Sequence, residues 1–194
     1  MRPESIYQRE EAKKRAALEA VKHVESGFTI GLGSGSTTAY AIREIGREVR
    51  QGNLRVMGVP TSYQALLLAL ECGIPTTTLD EHPQLDLTID GADQVNRQLD
   101  LIKGMGGALT REKIVASASR QLIVVADETK LVEKLGADHP VPVEVLPFAL
   151  STAMSRIRGM GGKPVLREGE GKVGPVVTDN GNICLLYTSD AADE

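Results

Sequence analysis

Between residues 8 and 126, short apolar runs alternate with helix-length amphipathic segments, and this alternation restricts the fold more than any other feature of the chain. Ala12, Ala16, Ala20, Val21 and Val24 recur at helical spacing among charges, which predicts a helix over 8–26 with Gly27 as its stop. Phe28–Leu32 reads as a short strand and Gly33–Thr37 as a Gly/Ser/Thr turn. A helix follows with Ala39, Ile42, Ile45 and Val49 on one face. Leu54–Val59 reads as a strand, Tyr63–Glu71 as a helix stopped by Gly73, and Thr76–Leu79 and Leu85–Ile89 as further strands. Residues 109–120 read as a helix. Gln121–Ala126 reads as a strand apolar enough for burial on both faces. Strands and helices in this order imply βαβ units and an α/β domain built on a mostly parallel sheet with helices on both faces.

Near residue 135 the pattern changes. Pro140, Pro142 and Pro147 punctuate a strand-like Val141–Val145, and a helix is expected at about 148–158. Short strands are expected near 164–168 and 175–179, with Asp179–Asn182 as a hairpin turn. This stretch reads as a smaller α+β lobe. The resulting division is a first domain over 1–135, a small lobe over 136–184, and a tail over 185–194. That tail begins apolar, ends acidic and Ala-rich, and shows no cap and no partner strand.

The chain has 194 residues, 41% apolar and 25% charged, enough for a core without disulfides or metal. Aromatic residues make up only 3%, which argues against a stacking surface for single-stranded nucleic acid. A net charge of −4 with no basic block argues against duplex binding. Cys72 and Cys184 are isolated, and His23, His82 and His139 lack ligand spacing, so unpaired thiols and no metal site are expected. No apolar run approaches a membrane span and the N-terminus is charged, so the expectation is a cytoplasmic protein with no membrane partner.

Gly31-Leu32-Gly33-Ser34-Gly35-Ser36-Thr37-Thr38 lies between a strand and a helix. Its glycines allow close backbone approach, the helix N-terminus offers N–H groups, and Ser34, Ser36 and Thr37 add hydroxyls, which suits a monophosphate. A dinucleotide fingerprint fails because Thr38 stands where the third Gly is needed, and a P-loop fails for want of Gly-Lys-Ser/Thr. A plain Gly-rich turn with Ser or Thr as helix N-cap fits the motif equally well.

Asp90-Gly91-Ala92-Asp93 ends an apolar strand, where open α/β sheets bind ligands. The competing interpretation is a pair of Asx turns. Lys103-Gly104-Met105-Gly106-Gly107 follows, with Thr110 expected as a helix N-cap and Glu112 in the first turn. Alone, Glu112 is a first-turn acid facing the helix dipole. Arg111 and Lys113 read as a solvated helix face. Lys130 lies at another strand end, and Lys13 reads as the polar side of the first helix. This inventory suits proton transfer on a small phosphorylated molecule without metal or organic cofactor.

These segments, together with Pro60-Thr61-Ser62, Ala126–Lys130, Pro140–Val145 and Val177–Asn182, resemble the ribose-5-phosphate isomerase A family and run in its order. The resemblance implies a Rossmann-like domain with a ferredoxin-like small lobe. It implies cofactor-free interconversion of D-ribose 5-phosphate and D-ribulose 5-phosphate in the pentose phosphate pathway. Carried over by position, Glu112 is the general base, and Lys103, Asp90 and Asp93 are its catalytic partners. Ser34, Gly35, Ser36, Thr37, Gly91, Ala92, Gly104, Met105, Gly106 and Lys130 are substrate contacts, with Lys13 as an addition to the phosphate set. A homo-oligomer, dimer or tetramer, is implied as well. The family pattern stops near Cys184, so the small lobe is expected to be incomplete and residues 185–194 unrelated to it. Rival readings are an amino-sugar-phosphate deaminase, a CoA-transferase subunit, a sugar-phosphate sensor domain and an inactive truncated isomerase.

Overall fold

The computed structural model describes residues 6–137 and 139–189. In chain order the elements are α1 (Ile6–Val21), β1 (Thr29–Leu32), α2 (Ser36–Arg50), β2 (Met57–Pro60), α3 (Tyr63–Glu71), β3 (Leu85–Gly91), β4 (Gln94–Val95), β5 (Leu101–Ile102), α4 (Leu109–Ser117), β6 (Ser119–Val125), β7 (Val141–Val145), α5 (Leu150–Gly159), β8 (Gly162–Leu166) and β9 (Ile183–Ser189). They fall into two compact units, one of residues 1–92 with 111–129 and one of 93–110 with 130–194. Residues 93–110, counted in the first domain by the sequence reading, thus belong to the second. The cause is pairing: Val95 bridges Leu131, and the Gly136 N–H donates to the Gln94 side chain at 2.8 Å.

The first unit is a four-stranded sheet in the order β2-β1-β3-β6, every pair parallel. Alternation along the strands sorts side chains by face. Ile30, Leu32, Leu87 and Ile89 pack into one core with Ala17, Ala20, Val21, Ile42, Ile45 and Ala69 of α1, α2 and α3. The opposite face carries Gly31 and Thr88. A Cβ at Gly31 would lie 2.0 Å from Thr88 Oγ1 and 2.6 Å from Val115 of α4, so that helix covers this side. The expected helices on both faces are present.

Several expectations change in detail. α1 ends at Val21 because residues 22–24 turn back through three short-range bonds, Lys22, His23 and Val24 each donating to the carbonyl three residues earlier. Thr76–Leu79 is no strand; only Thr76 bridges Gly58. Among the described residues β6, expected to be buried on both faces, is an edge strand, and Arg120, Gln121 and Leu122 are exposed.

In the second unit, β4 and β5 form a short antiparallel hairpin, and β7-β9-β8 form an antiparallel sheet with β9 in the middle. Leu185–Ser189, expected as a tail with no partner strand, is part of that central strand. Cys184 and Leu185 are fully buried, Leu185 in a cluster with Val145 and Ile157. The rest of the expected tail, 190–194, lies outside the described residues. The strand expected at 175–179 is reduced to two bridges, Glu168 with Pro175 and Val177 with Ile183. The turn at Asp179–Asn182 is present, the Thr178 N–H donating to the Asn182 carbonyl at 2.9 Å.

Candidate active site

In the first unit the site is built at the carboxyl ends of β1 and β3, which are bonded neighbours. The Gly33 N–H donates to the Ile89 carbonyl at 2.9 Å and the Ser34 N–H to Asp90 Oδ1 at 3.2 Å. Asp90 is fully buried and also accepts from the Gly91 N–H at 2.7 Å. The turn approaches so closely because residue 33 has no side chain; a Cβ there would sit 2.3 Å from Asp90 Oδ1.

Gly35, with φ 112°, is the N-cap of α2, so neither Ser nor Thr caps this helix as the sequence allowed. No acidic residue lies in its first turn. Helix geometry leaves the N–H groups of Ser36, Thr37 and Thr38 without a carbonyl one turn back. An anion would meet those dipoles at their positive end. Ser34 differs from expectation. Its hydroxyl donates to Ser62 Oγ at 2.5 Å and lies 2.8 Å from Thr61 Oγ1, so it braces the turn. Gln64 accepts from the Gly35 N–H at 2.8 Å. By residue type alone Thr61, Ser62 and Gln64 carry no signal of a place at the site. Pro60-Thr61-Ser62 was visible as a motif, but the contact it makes is long-range.

Glu112 is buried in the first turn of α4. Thr110 is not the N-cap, because the helix already begins at Leu109. Arg111, read as solvated, lies over the Tyr63 ring at 5.1 Å, while Lys113 is exposed. Lys13 is ion-paired with Glu10 at 2.7 Å, and the Tyr40 hydroxyl donates to the same carboxylate at 2.8 Å.

In the second unit the β4–β5 hairpin does the positioning. Gln94 pairs with Ile102, so Asp93 and Lys103 leave the ladder side by side at its open end. The Asp93 N–H donates to the Ile102 carbonyl at 2.8 Å, and Asp93 Oδ2 accepts from the Met105 N–H at 2.9 Å. Gly104 and Gly107, both at positive φ, close a turn through a 2.9 Å bond from the Gly107 N–H to the Gly104 carbonyl. Lys130 ends a short 3₁₀ turn, one residue before the Leu131–Val95 bridge. Gly106 is exposed and Met105 half-buried. The arrangement joins Asp90 to the Ser34 turn in one unit, and Asp93 to the Lys103–Met105 turn in the other.

Glu144 of β7 lies within the Pro140–Val145 segment, and its residue type alone signals no role. Its Oε1 accepts from Thr178 Oγ1 at 2.7 Å, Asn182 Nδ2 at 2.9 Å and Asn180 Nδ2 at 3.1 Å; its Oε2 accepts from the Thr110 N–H at 3.3 Å. Burial pushes this carboxyl up, but hydrogen bonds from Thr110, Thr178, Asn182 and Asn180 outweigh burial and hold it below the usual carboxylate range.

Among the described residues no group of three or more His, Cys, Asp and Glu could hold a metal ion. Cys72 and Cys184 are buried free thiols. No helix among the described residues is long and apolar enough to cross a membrane.

Comparison with known proteins completes the picture. A sequence model described as "Ribose 5-phosphate isomerase A (phosphoriboisomerase A)" matches residues 57–192, past the point where the family pattern was expected to stop. The chain is 54% identical over 173 residues to ribose-5-phosphate isomerase A of Methanosarcina acetivorans, covering 89% of this chain and 73% of that protein. It is 56% identical over 174 residues to the Methanoregula boonei protein of the same name, covering 90% and 72%. The solved structure of ribose 5-phosphate isomerase A from Methanocaldococcus jannaschii superposes with a TM-score of 0.90 at 46% identity, covering 95% of this chain and 82% of that one. A parallel α/β sheet with these relatives defines an isomerase. The chain belongs to the ribose-5-phosphate isomerase A family.

Proposed function

We propose that this chain interconverts D-ribose 5-phosphate and D-ribulose 5-phosphate through an enediolate, with no metal or organic cofactor. The observation that carries this reading is the bond from the Ser34 N–H to Asp90, which ties an anion-suited helix N-terminus to a buried carboxylate at a strand end. Family membership supplies the substrate.

In this reading the phosphate lies against Ser34–Thr37 at the start of α2, with Lys130 as a countercharge and Gly35 allowing close approach. Asp90 and Asp93 assist opening of the sugar ring, and Gly91 and Ala92 line the substrate between them in sequence. Glu112 takes the proton from C2. The electron pair of that C–H bond becomes the C1=C2 double bond, and the charge gathers on the oxygen at C1. Lys103 stabilises that charge as it develops, and the Gly104–Gly106 backbone lets the substrate come close. A proton passes from the C2 hydroxyl to the oxygen at C1, and as Glu112 returns its proton to C1 the C1=C2 pair forms the new C1–H bond, leaving the carbonyl at C2 of the ketose. A carboxylate is a weak base for a carbon acid, so the ammonium does much of the catalysis. Phosphate contacts remote from C1 and C2 hold the reacting atoms in register.

The reading includes a cytoplasmic homo-oligomer, dimer or tetramer. Tyr63, Leu67 and Leu70, exposed along one side of α3, support self-association. The test is a ketose-forming assay on ribose 5-phosphate, with glucosamine 6-phosphate as a comparison. Ribulose 5-phosphate should form from the first and nothing from the second. A folded chain that yields no ketose above the enzyme-free control would refute the proposal.

A further inference from the structure

Three of the five residues from Lys103 to Gly107 are glycine. Such a segment loses more conformational freedom on ordering than an ordinary loop, so side chains from elsewhere must hold it. In the second unit two side chains outside the acid–base set do so.

Arg167 directly follows β8. Its own backbone is anchored, its N–H donating to the Cys184 carbonyl at 3.0 Å and its carbonyl accepting from the Val176 N–H at 2.8 Å. From there its Nη2 donates to the Met105 carbonyl at 2.6 Å. Since the Met105 N–H is held by Asp93, both polar groups of that residue are bound by charged side chains. At the far end of the segment, Glu144 accepts from the N–H of Thr110, one of the helix N–H groups with no partner inside α4. Charge-assisted bonds of this kind are stronger than neutral ones and more selective in geometry.

We propose that Arg167 and Glu144 are positioning residues for the isomerase, pinning the two ends of segment 103–110 so that Lys103 and Asp93 meet the substrate in a fixed geometry. The proposal rests on the role given to Lys103 above. Arg167 touches no reacting atom in this scheme; it acts through the Met105 carbonyl, and Glu144 acts through the Thr110 N–H.

The test is steady-state isomerisation by full-length Arg167→Ala and Glu144→Gln beside the parent chain, with circular dichroism to establish folding. Misplacing a catalytic group by a fraction of its length lowers turnover, so Arg167→Ala should lose about 10- to 100-fold in kcat. KM should stay within about twofold, because the Ser34–Thr37 turn is untouched. Glu144→Gln should shift kcat in the same direction by less. Adding millimolar guanidinium should restore part of the Arg167→Ala loss, an effect that a purely structural role would not give. A folded Arg167→Ala with parental kcat, or with kcat loss matched by a rise in KM, overturns the proposal. If Arg167→Ala does not fold, Arg167→Gln is judged by the same two readouts, and failure of both to fold assigns Arg167 to stability alone and overturns it too. An inactive parent chain would sink the isomerase reading and this one with it, whereas an active parent beside an indifferent Arg167→Ala sinks this one only.

Discussion

The backbone N–H of Ser34 donates to Asp90 Oδ1 across 3.2 Å, so the turn after β1 is bonded to the carboxylate at the end of β3. The contact depends on a missing side chain at the neighbouring residue.

Gly33→Ala should break that contact. The new Cβ would fall 2.3 Å from Asp90 Oδ1 and 2.5 Å from the Ile89 carbonyl, and both are backbone or fully buried. Overpacking of this kind costs about 1–3 kcal/mol. A lowered urea midpoint together with reduced isomerase activity is expected, and a midpoint equal to the parent's would show that the turn can shift without penalty.

Glu112→Gln keeps the size of the side chain and removes the base. Turnover of ribose 5-phosphate should fall by about 100- to 10,000-fold, with KM little changed. Lys130→Ala should behave conversely, raising KM more than it lowers kcat. Near-parental turnover in Glu112→Gln would remove Glu112 from the mechanism.

Glu144 links stability to pH. Its folded carboxyl titrates below the ordinary value of 4.5, because four donors converge on it. Between the folded and unfolded values the unfolded chain binds more protons, so stability rises with pH through that window. The stabilisation is complete above about 4.5 and is lost as pH falls through the lower folded value. The deficit of Glu144→Gln relative to the parent should therefore be full at pH 7 and shrink on acidification below pH 4.5, as followed by urea melts across pH. A deficit independent of pH would mean that the carboxyl is not ionised in the fold.

Leu185→Ala distinguishes a structural strand from a tail. Leu185 is fully buried beside Val145 and Ile157, and truncating such a side chain costs about 2–5 kcal/mol. A residue in a frayed tail would change stability by about 0.5 kcal/mol or less. Chemical denaturation of the variant separates the two.

Where local pattern decides, sequence and structure agree closely. Tyr63–Glu71 and Val141–Val145 have the expected bounds, one set by an N-capping Ser62 and the other by flanking prolines. Where partners decide, they diverge. Gln121–Ala126 looked buried because its residues are apolar, yet β6 has only β3 beside it among the described residues. Leu185–Ser189 looked unattached because both its partners, β7 and β8, lie earlier in the chain and no local period marks the pairing. The same holds at the site. Asp90, Asp93, Lys103 and Glu112 stand out as candidates by residue type and position at strand ends and turns. Thr61, Ser62, Gln64, Glu144 and Arg167 contribute through contacts that only the folded backbone creates.

The central place of β9 sets an order of events during synthesis. β7 and β8 each pair with β9 and not with each other. A nascent chain that has emerged as far as residue 166 therefore holds two strands that lack their common template. Among the described residues the pairs of the parallel sheet, in contrast, lie within the first 125 residues. At about 5–20 residues per second, that sheet can assemble seconds before the other has its middle strand. Asp93 and Lys103 leave the ribosome early, but Arg167, which holds the turn beside them, is fixed only when Cys184 arrives. A ribosome stalled before β9 would release a chain with its acids in place and its turn unheld.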